Sequence, residues 1–312
     1  MHNRIITVVG GTGFVGRYVV KLLASKGYTI RVIARDPEAA LQLKTAGEVG
    51  QIVLVGGNLS RPESLQGKLD NSWAVINLVG ILFESGSQNF STLHAQGAEK
   101  LAQLSKAAGV DRFIHMSSMS IDKAVNSKYA RTKALGEKAV KAAFPEATIL
   151  RPSVIFGPED QFFNTFAAMA RFAPMLPLIG GGKTKFQPVY VCDVARAVLA
   201  VLEHPESKGT TYELGGPEVY TFKELLEFIC KTTRRTPYLL NVPFGIASAV
   251  SRITQLLPHP PITYDQVSML KHDNIVNADV KTFADLGITP NAVEAIVPEY
   301  LERFAKPGLV AA

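Results

Sequence analysis

Short apolar runs separated by amphipathic stretches repeat along the first half of the chain. Ile5, Ile6, Val8 and Val9 form a compact run ending in glycine, after which Val15, Val19, Leu22 and Leu23 recur at helical spacing. Such a run bounded by glycine predicts a buried strand, and the recurrence predicts a helix packed on it. Gly27 stands where a helix C-cap is needed. Further strands are predicted over 28–34, 52–55, 74–79 and 112–116. The third is followed by a short helix with Ser60 as cap and Pro62 in its first turn, the fourth by a long amphipathic helix over 89–108. Alternating strands and helices predict an α/β fold, a doubly wound parallel sheet. From Arg151 onward, Pro152, Pro158, Pro174, Pro177 and Gly180-Gly181-Gly182 cut the chain into short pieces. Residues 1–150 are therefore expected to form the core, its sheet completed by parts of 151–215. Residues 151–312 are expected to form a smaller, mostly helical lobe interleaved with it.

Composition narrows the class. Of 312 residues, 47% are hydrophobic and 19% charged, which suits a globular chain and excludes a disordered one. No apolar run reaches bilayer-spanning length, and the opening MHNRII leaves no room for a targeting peptide before the first strand. Two cysteines, Cys192 and Cys230, make neither a disulfide framework nor a zinc site, so a reducing, cytoplasmic setting is expected. The net charge of +6 comes from scattered lysines and arginines, which argues against nucleic acid and leaves an acidic partner or anionic lipid open. None of the six histidines has a partner at metal-ligand spacing, so no metal site is expected.

Candidate chemistry starts at the first turn. Gly10, Gly13 and Gly16, with Thr12, Phe14 and Val15 between them, sit between a strand and a helix N-terminus. Free backbone N–H groups and the positive helix end converge there, and missing side chains admit a pyrophosphate. This is the turn of a Rossmann-type dinucleotide site. The residue ending the second strand reaches the adenosine ribose. An arginine there accommodates a 2′-phosphate and an acid bonds the 2′-hydroxyl. Arg35 comes first and favours NADP(H) over NAD(H), with Asp36 the alternative as a ribose ligand. Asn58, with Leu59 beside it, is placed to meet the adenine edge, and Leu78, Val79 and Gly80 to meet the middle of the cofactor. Farther on, Tyr129 and Lys133 stand at i, i+4 in YARTK and share one helical face. A lysine ammonium beside a phenol lowers the phenol's pKa and readies it to relay a proton. A hydroxyl at the end of the fifth strand, Ser117 or Ser118, could polarise a carbonyl.

With the opening turn, YARTK, ILRPSVIFGP (149–158), PVYVCDVARAV (188–198) and YELGGPEVYTFKELLEFI (212–229), the chain resembles a short-chain dehydrogenase/reductase of the extended or atypical branch. The resemblance covers nearly the whole length. The stretches 143–195, 252–276 and 283–301 are more particularly similar to the NADPH-binding accessory subunit of respiratory complex I and its bacterial relatives. It implies a bound nucleotide more firmly than turnover, with Tyr129 and Lys133 as both catalytic and cofactor contacts and Pro152 as a further cofactor contact. In two places the chain departs from the family. Only eleven positions separate Ser118 from Tyr129, with Met119 where extended enzymes carry a hydroxyl, and the family's Gly-Asp-Leu is Gly57-Asn58-Leu59.

Three functions follow. The resemblance implies an accessory or assembly subunit holding NADPH, with membrane-bound NADH dehydrogenase subunits as partners and a peripheral place at the inner face of the membrane, on the matrix side if mitochondrial. Tyr129 and Lys133 imply an active NADP-dependent reductase, epimerase or dehydratase acting on a quinone-, isoprenoid- or sugar-type molecule. The third is a nucleotide sensor without catalysis. GGGKTK (180–185) lacks Walker spacing and reads as a turn with solvated lysines, and Asp193 as a cap of the helix 194–202 or a local backbone partner and not a catalytic group. The apolar stretch 244–257 is expected to be a helix buried between lobes, the alternative being a docking helix for a membrane complex or lipid surface.

Overall fold

A computed structural model describes residues 2–86, 88–255 and 262–306. Strand β1 (His2–Val9) leads through the glycine turn into α1 (Phe14–Ser25), and β2 (Tyr28–Ala34), β3 (Ile52–Gly56) and β4 (Ser72–Asn77) follow. After α2 (Gly97–Ala107) come β5 (Arg112–Met116), α3 (Lys128–Ala143) and β6 (Thr148–Pro152). With an edge strand, Thr211–Leu214, these form a seven-stranded sheet in which every neighbouring pair is parallel. From the edge strand inward the order is Thr211–Leu214, β6, β5, β4, β1, β2, β3. The order reverses between β1 and β4, and ligands of open α/β sheets bind at the strand ends beside such a switch.

Apolar side chains cover both faces of the sheet. Ile6, Val8 and Ile30 pack against Val19 and Leu23 of α1 and against Val194 and Val198 of a later helix. On the other face Val75 and Phe113 meet Leu101 of α2 and Val140 of α3. The rest of the chain forms α4 (Phe162–Phe172), α5 (Val191–Glu203), α6 (Phe222–Thr232), α7 (Phe244–Thr254), α8 (Tyr264–Met269) and α9 (Val293–Leu301). Phe156, Phe163, Phe222, Leu226 and Val297 hold a separate core there. Phe283, Leu286 and Ile288 return to the sheet's core, stitching the late chain onto the early one.

Four expectations change. The helix predicted over 89–108 opens as a π-turn, Ser91–Gln96, before becoming α2. Ser60 is not a cap: the turn Pro62–Leu65 has Arg61 at its N-cap, and the Asn58 carboxamide oxygen accepts from the Ser60 N–H at 2.9 Å. Asp193 lies inside α5, fully buried, accepting the Asn291 backbone N–H at 2.7 Å and pairing with Arg196. Finally, α7 is not buried between lobes. Only Ala247 and Ser251 are, while Ile246, Val250 and Ile253 face outward. Leu256, Leu257 and His259 lie outside the described residues. Gly180–Gly182 do form a turn, with φ of 61°, 70° and 67° that only glycine adopts without strain.

Candidate nucleotide and catalytic site

The glycine turn is built to leave backbone exposed. Gly10 has φ 88°, and a Cβ there would lie 3.0 Å from the Leu78 carbonyl carbon and 3.1 Å from the Val79 nitrogen. Gly16 is tighter still, since a Cβ would fall 2.2 Å from the Gly10 oxygen and 2.6 Å from the Gly11 Cα. Gly13 is the N-cap of α1 with no side-chain cap, so the first-turn N–H groups lack a protein acceptor. Thr12 is exposed beside them. The Phe14 ring reaches the other lobe, where a Cβ on Gly157 would come within 3.2 Å of it. Val15 is half-buried on the α1 core side. A cradle that no Cβ could enter fits a pyrophosphate.

The residues expected to meet adenosine lie beyond β2 and β3. Arg35 is exposed just beyond β2 and makes no hydrogen bond or ion pair with any described residue. The Asp36 Oδ1 accepts from the Glu38 and Ala39 N–H groups at 3.0 and 3.1 Å, and its Oδ2 has no partner among the described residues. The Asn58 backbone N–H donates to the Ser64 hydroxyl at 2.9 Å and its side-chain Nδ2 has no partner among the described residues, whereas the Leu59 side chain is buried in the core beneath α2 and offers only backbone. Leu78 and Val79 continue β4, their amides bonded to the Val9 oxygen and the Asn77 side chain. A Cβ on Gly80 would lie 3.4 Å from the Lys133 Nζ, so the open side of this strand end leads straight to the lysine.

Ser127 caps α3, and Asp265 of α8 caps it a second time, accepting from the Ser127 hydroxyl at 2.8 Å and the Tyr129 N–H at 3.0 Å. Tyr129 and Lys133 share one face of that helix, as their spacing predicts. Their electrostatics differ from the prediction. The Lys133 ammonium donates to the Met116 carbonyl at 3.0 Å, and burial lowers its pKa to about 8, against the pull of Glu137. Burial pushes the Tyr129 phenol above its ordinary value, and the group opposing the rise is Ser118, with no contribution from Lys133. The direction of the phenol's shift is set by burial, opposite to the lowering expected from the lysine. Of the two hydroxyl candidates, Ser118 faces the phenol. Ser117 is buried with an Oγ that has no partner among the described residues. Met119 is fully buried, its amide bonded to the carbonyl of Pro152 at the end of β6.

Two groups behind the pair escaped the sequence reading. His94, in the π-turn, stands edge-on to Tyr129 with ring centroids 5.3 Å apart. Its Nε2 accepts from the Ile81 N–H at 3.1 Å, so its Nδ1 carries the proton toward Thr132 at 3.3 Å. Helix α3 approaches this turn at Gly136, where a Cβ would sit 1.8 Å from the His94 carbonyl oxygen. The second is a buried charge hub. Arg151 meets Glu137 through two hydrogen bonds, 2.9 and 2.8 Å, and also pairs with Asp122 and Glu213. Burial alone would raise the Glu137 carboxyl, but Arg151 and Lys141 hold it below its usual value. Removing one member of a buried pair strands the other, at a cost of about 3–5 kcal/mol. Arg151→Met is expected to lower stability by that amount in urea denaturation, and a loss below about 1 kcal/mol would show the hub supports little.

The fold and the site together define the class. The model of the NAD dependent epimerase/dehydratase family matches residues 6–215, and the chain belongs to that family. Among curated relatives, it is 38% identical to the mitochondrial NADH dehydrogenase [ubiquinone] 1 alpha subcomplex subunit 9 of Arabidopsis thaliana, over 97% of this chain and 79% of that one. The mouse subunit of the same name is 35% identical over 96% and 80%. A ceramide reductase of Caulobacter vibrioides is 29% identical over 77% and 74%. In fold the chain matches the NAD-bound dTDP-glucose 4,6-dehydratase of Streptomyces venezuelae, with a TM-score of 0.74 at 19% identity over 96% of each. No helix among the described residues is long and apolar enough to cross a membrane.

Proposed function

We propose that this chain is an accessory or assembly subunit of a complex I-type NADH dehydrogenase, holding NADP(H) with little turnover. The observation that carries this reading is a divergence within one site. The turn at Gly10 and Gly16 has no room for side chains, while burial raises the Tyr129 phenol and the Lys133 ammonium donates to the Met116 carbonyl. Relatives of nearly the same span that are named as complex I subunits support the partner. With no described helix able to span a bilayer, the place implied is peripheral, at the inner membrane face or, in a mitochondrion, the matrix side. Native purification tests this. Bound NADPH and co-purifying membrane dehydrogenase chains are expected, and a lone, nucleotide-free protein would overturn the reading.

Exposed Arg35, with no partner among the described residues, supports a 2′-phosphate, and the Asp36 Oδ2 is the competing ribose ligand. Arg35→Asp is expected to weaken NADPH at least tenfold, about 1.4 kcal/mol, and to leave NADH unchanged or tighter by calorimetric titration. An unchanged preference would refute the assignment.

Ser118 facing Tyr129 favours a second reading, an active reductase, epimerase or dehydratase. A bound nicotinamide would supply hydride exchange at its ring. Ser118 would polarise the substrate oxygen, Tyr129 would exchange the proton, and Lys133 would hold the ribose beside Gly80. If Tyr129→Phe leaves every cellular phenotype intact while nucleotide still binds, this second reading fails.

A further inference from the structure

The late chain carries an apolar face that no described residue covers. On α7, Ile246, Val250 and Ile253 are 57%, 47% and 72% exposed, and their spacing puts them on one stripe. Next to α7, the parallel strands Met175–Ile179 and Tyr238–Val242 add a second surface. Met175 is paired with Tyr238 and Pro177 with Leu240, so all four share one side, on which Met175, Tyr238 and Leu240 are exposed. Phe172, 82% exposed, ends α4 just before Met175. Gly180 joins strand to helix, since a Cβ there would lie 2.3 Å from the Phe244 ring.

Charge decides what this face fits. The two segments that build it, 161–192 and 228–264, contain no aspartate or glutamate at all. They carry Arg171, Lys183, Lys185, Lys231 and Arg252, all exposed, and Arg234, which pairs with Glu302 at 2.9 Å. Arg171 lies 5.3 Å from the Phe172 ring, and Arg252, one residue from Ile253, lies 5.0 Å from the Tyr264 ring. Exposed apolar side chains with exposed arginines on the same segments, and no acid within either segment, match the boundary between acyl chains and anionic headgroups. The apolar side chains enter the former and the guanidinium groups meet the latter. An acidic protein surface would favour the same basic side chains, and protein-free vesicles separate the two occupants.

We propose that this face seats the protein peripherally on a bilayer bearing anionic headgroups, with α7 lying in the plane of the interface. The proposal needs neither a nucleotide nor any other subunit, so its outcome is separable from that of the complex I reading. Flotation of the full chain with vesicles tests it. Binding is expected to vesicles of phosphatidylcholine mixed with phosphatidylglycerol, to fall with added salt, and to be lost with phosphatidylcholine alone. The double variant Ile246→Asp, Ile253→Asp should abolish binding without changing the melting temperature, because both side chains already face outward. Arg171→Glu and Arg252→Glu should each weaken it by roughly fivefold or more. Equal binding to both vesicle types, or none to either, would overturn the proposal. So would a dimer that the Ile253→Asp change dissociates in the absence of lipid binding, which would give the face to a second copy of the chain.

Discussion

Gly16→Ala is expected to lower nucleotide affinity by roughly two orders of magnitude, about 2.7 kcal/mol. The added methyl would sit 2.2 Å from the Gly10 oxygen and 2.6 Å from the Gly11 Cα, both backbone atoms that cannot rotate away. Either α1 moves off the sheet or the turn opens, and each displaces the N–H groups from the point where a pyrophosphate would lie. Overpacking of this kind costs about 1–3 kcal/mol, so the nucleotide-free variant should also melt lower. Calorimetric titration with NADPH reads the first effect and thermal denaturation the second. Wild-type affinity in a folded variant would mean that the turn is not the phosphate site.

The second large effect is acid lability. Burial, with Lys133 and His115 adding to it, lowers the His94 pKa to about 2. Burial and Lys133, partly offset by Glu137, lower the pKa of His115 to about 3. Unfolded imidazoles titrate near 6.5, so below that pH the unfolded chain takes up protons that the folded one refuses. These folded pKa values are depressed, so stability is fully present above about pH 6.5 and declines as the pH falls toward about 3. Each histidine removes roughly 1.4 kcal/mol per pH unit across that window. By pH 4.5 the pair would have removed about 5 kcal/mol, comparable to the whole stability of a modest domain. Carboxylates held low by the fold, Glu137 among them, begin to add to the loss near pH 4.5, so the change in slope of a histidine variant between pH 6.5 and 4.5 isolates its imidazole. His94→Gln should flatten the slope by about half. Equal stability at both pH values would show that neither ring is held neutral by the fold.

What could be read in advance follows from how far apart the interacting residues are. The strands before residue 150, the glycine turn and the face shared by Tyr129 and Lys133 depend on neighbours within a few positions, and periodicity records them directly. His94 looked like one more polar residue on an amphipathic helix. Its role depends on a π-turn and on Thr132, thirty-eight positions away. The Arg151 hub gathers Asp122, Glu137 and Glu213, which no local pattern connects. The phenol's electrostatics were misread because helical spacing brings two side chains to one face without saying where the ammonium donates. Burial of α7 was misread for a different reason. A stretch apolar nearly all round suits a core or an interface equally, and only the packing of Ala247 and Ser251 chooses between them.

The double cap on α3 makes the two ends of the molecule energetically reciprocal. Asp265 fastens the first turn of the Tyr129 helix from α8, and α8 packs against α7. A surface that shifts α8 through α7 would act on the carboxylate that holds the start of α3. Thermodynamic linkage requires the exchange to be symmetric, so a surface that tightens nucleotide fivefold is itself bound fivefold more tightly when nucleotide is present, a coupling of about 1 kcal/mol. Cutting that tie with Asp265→Asn would leave two sites that still bind and no longer inform each other.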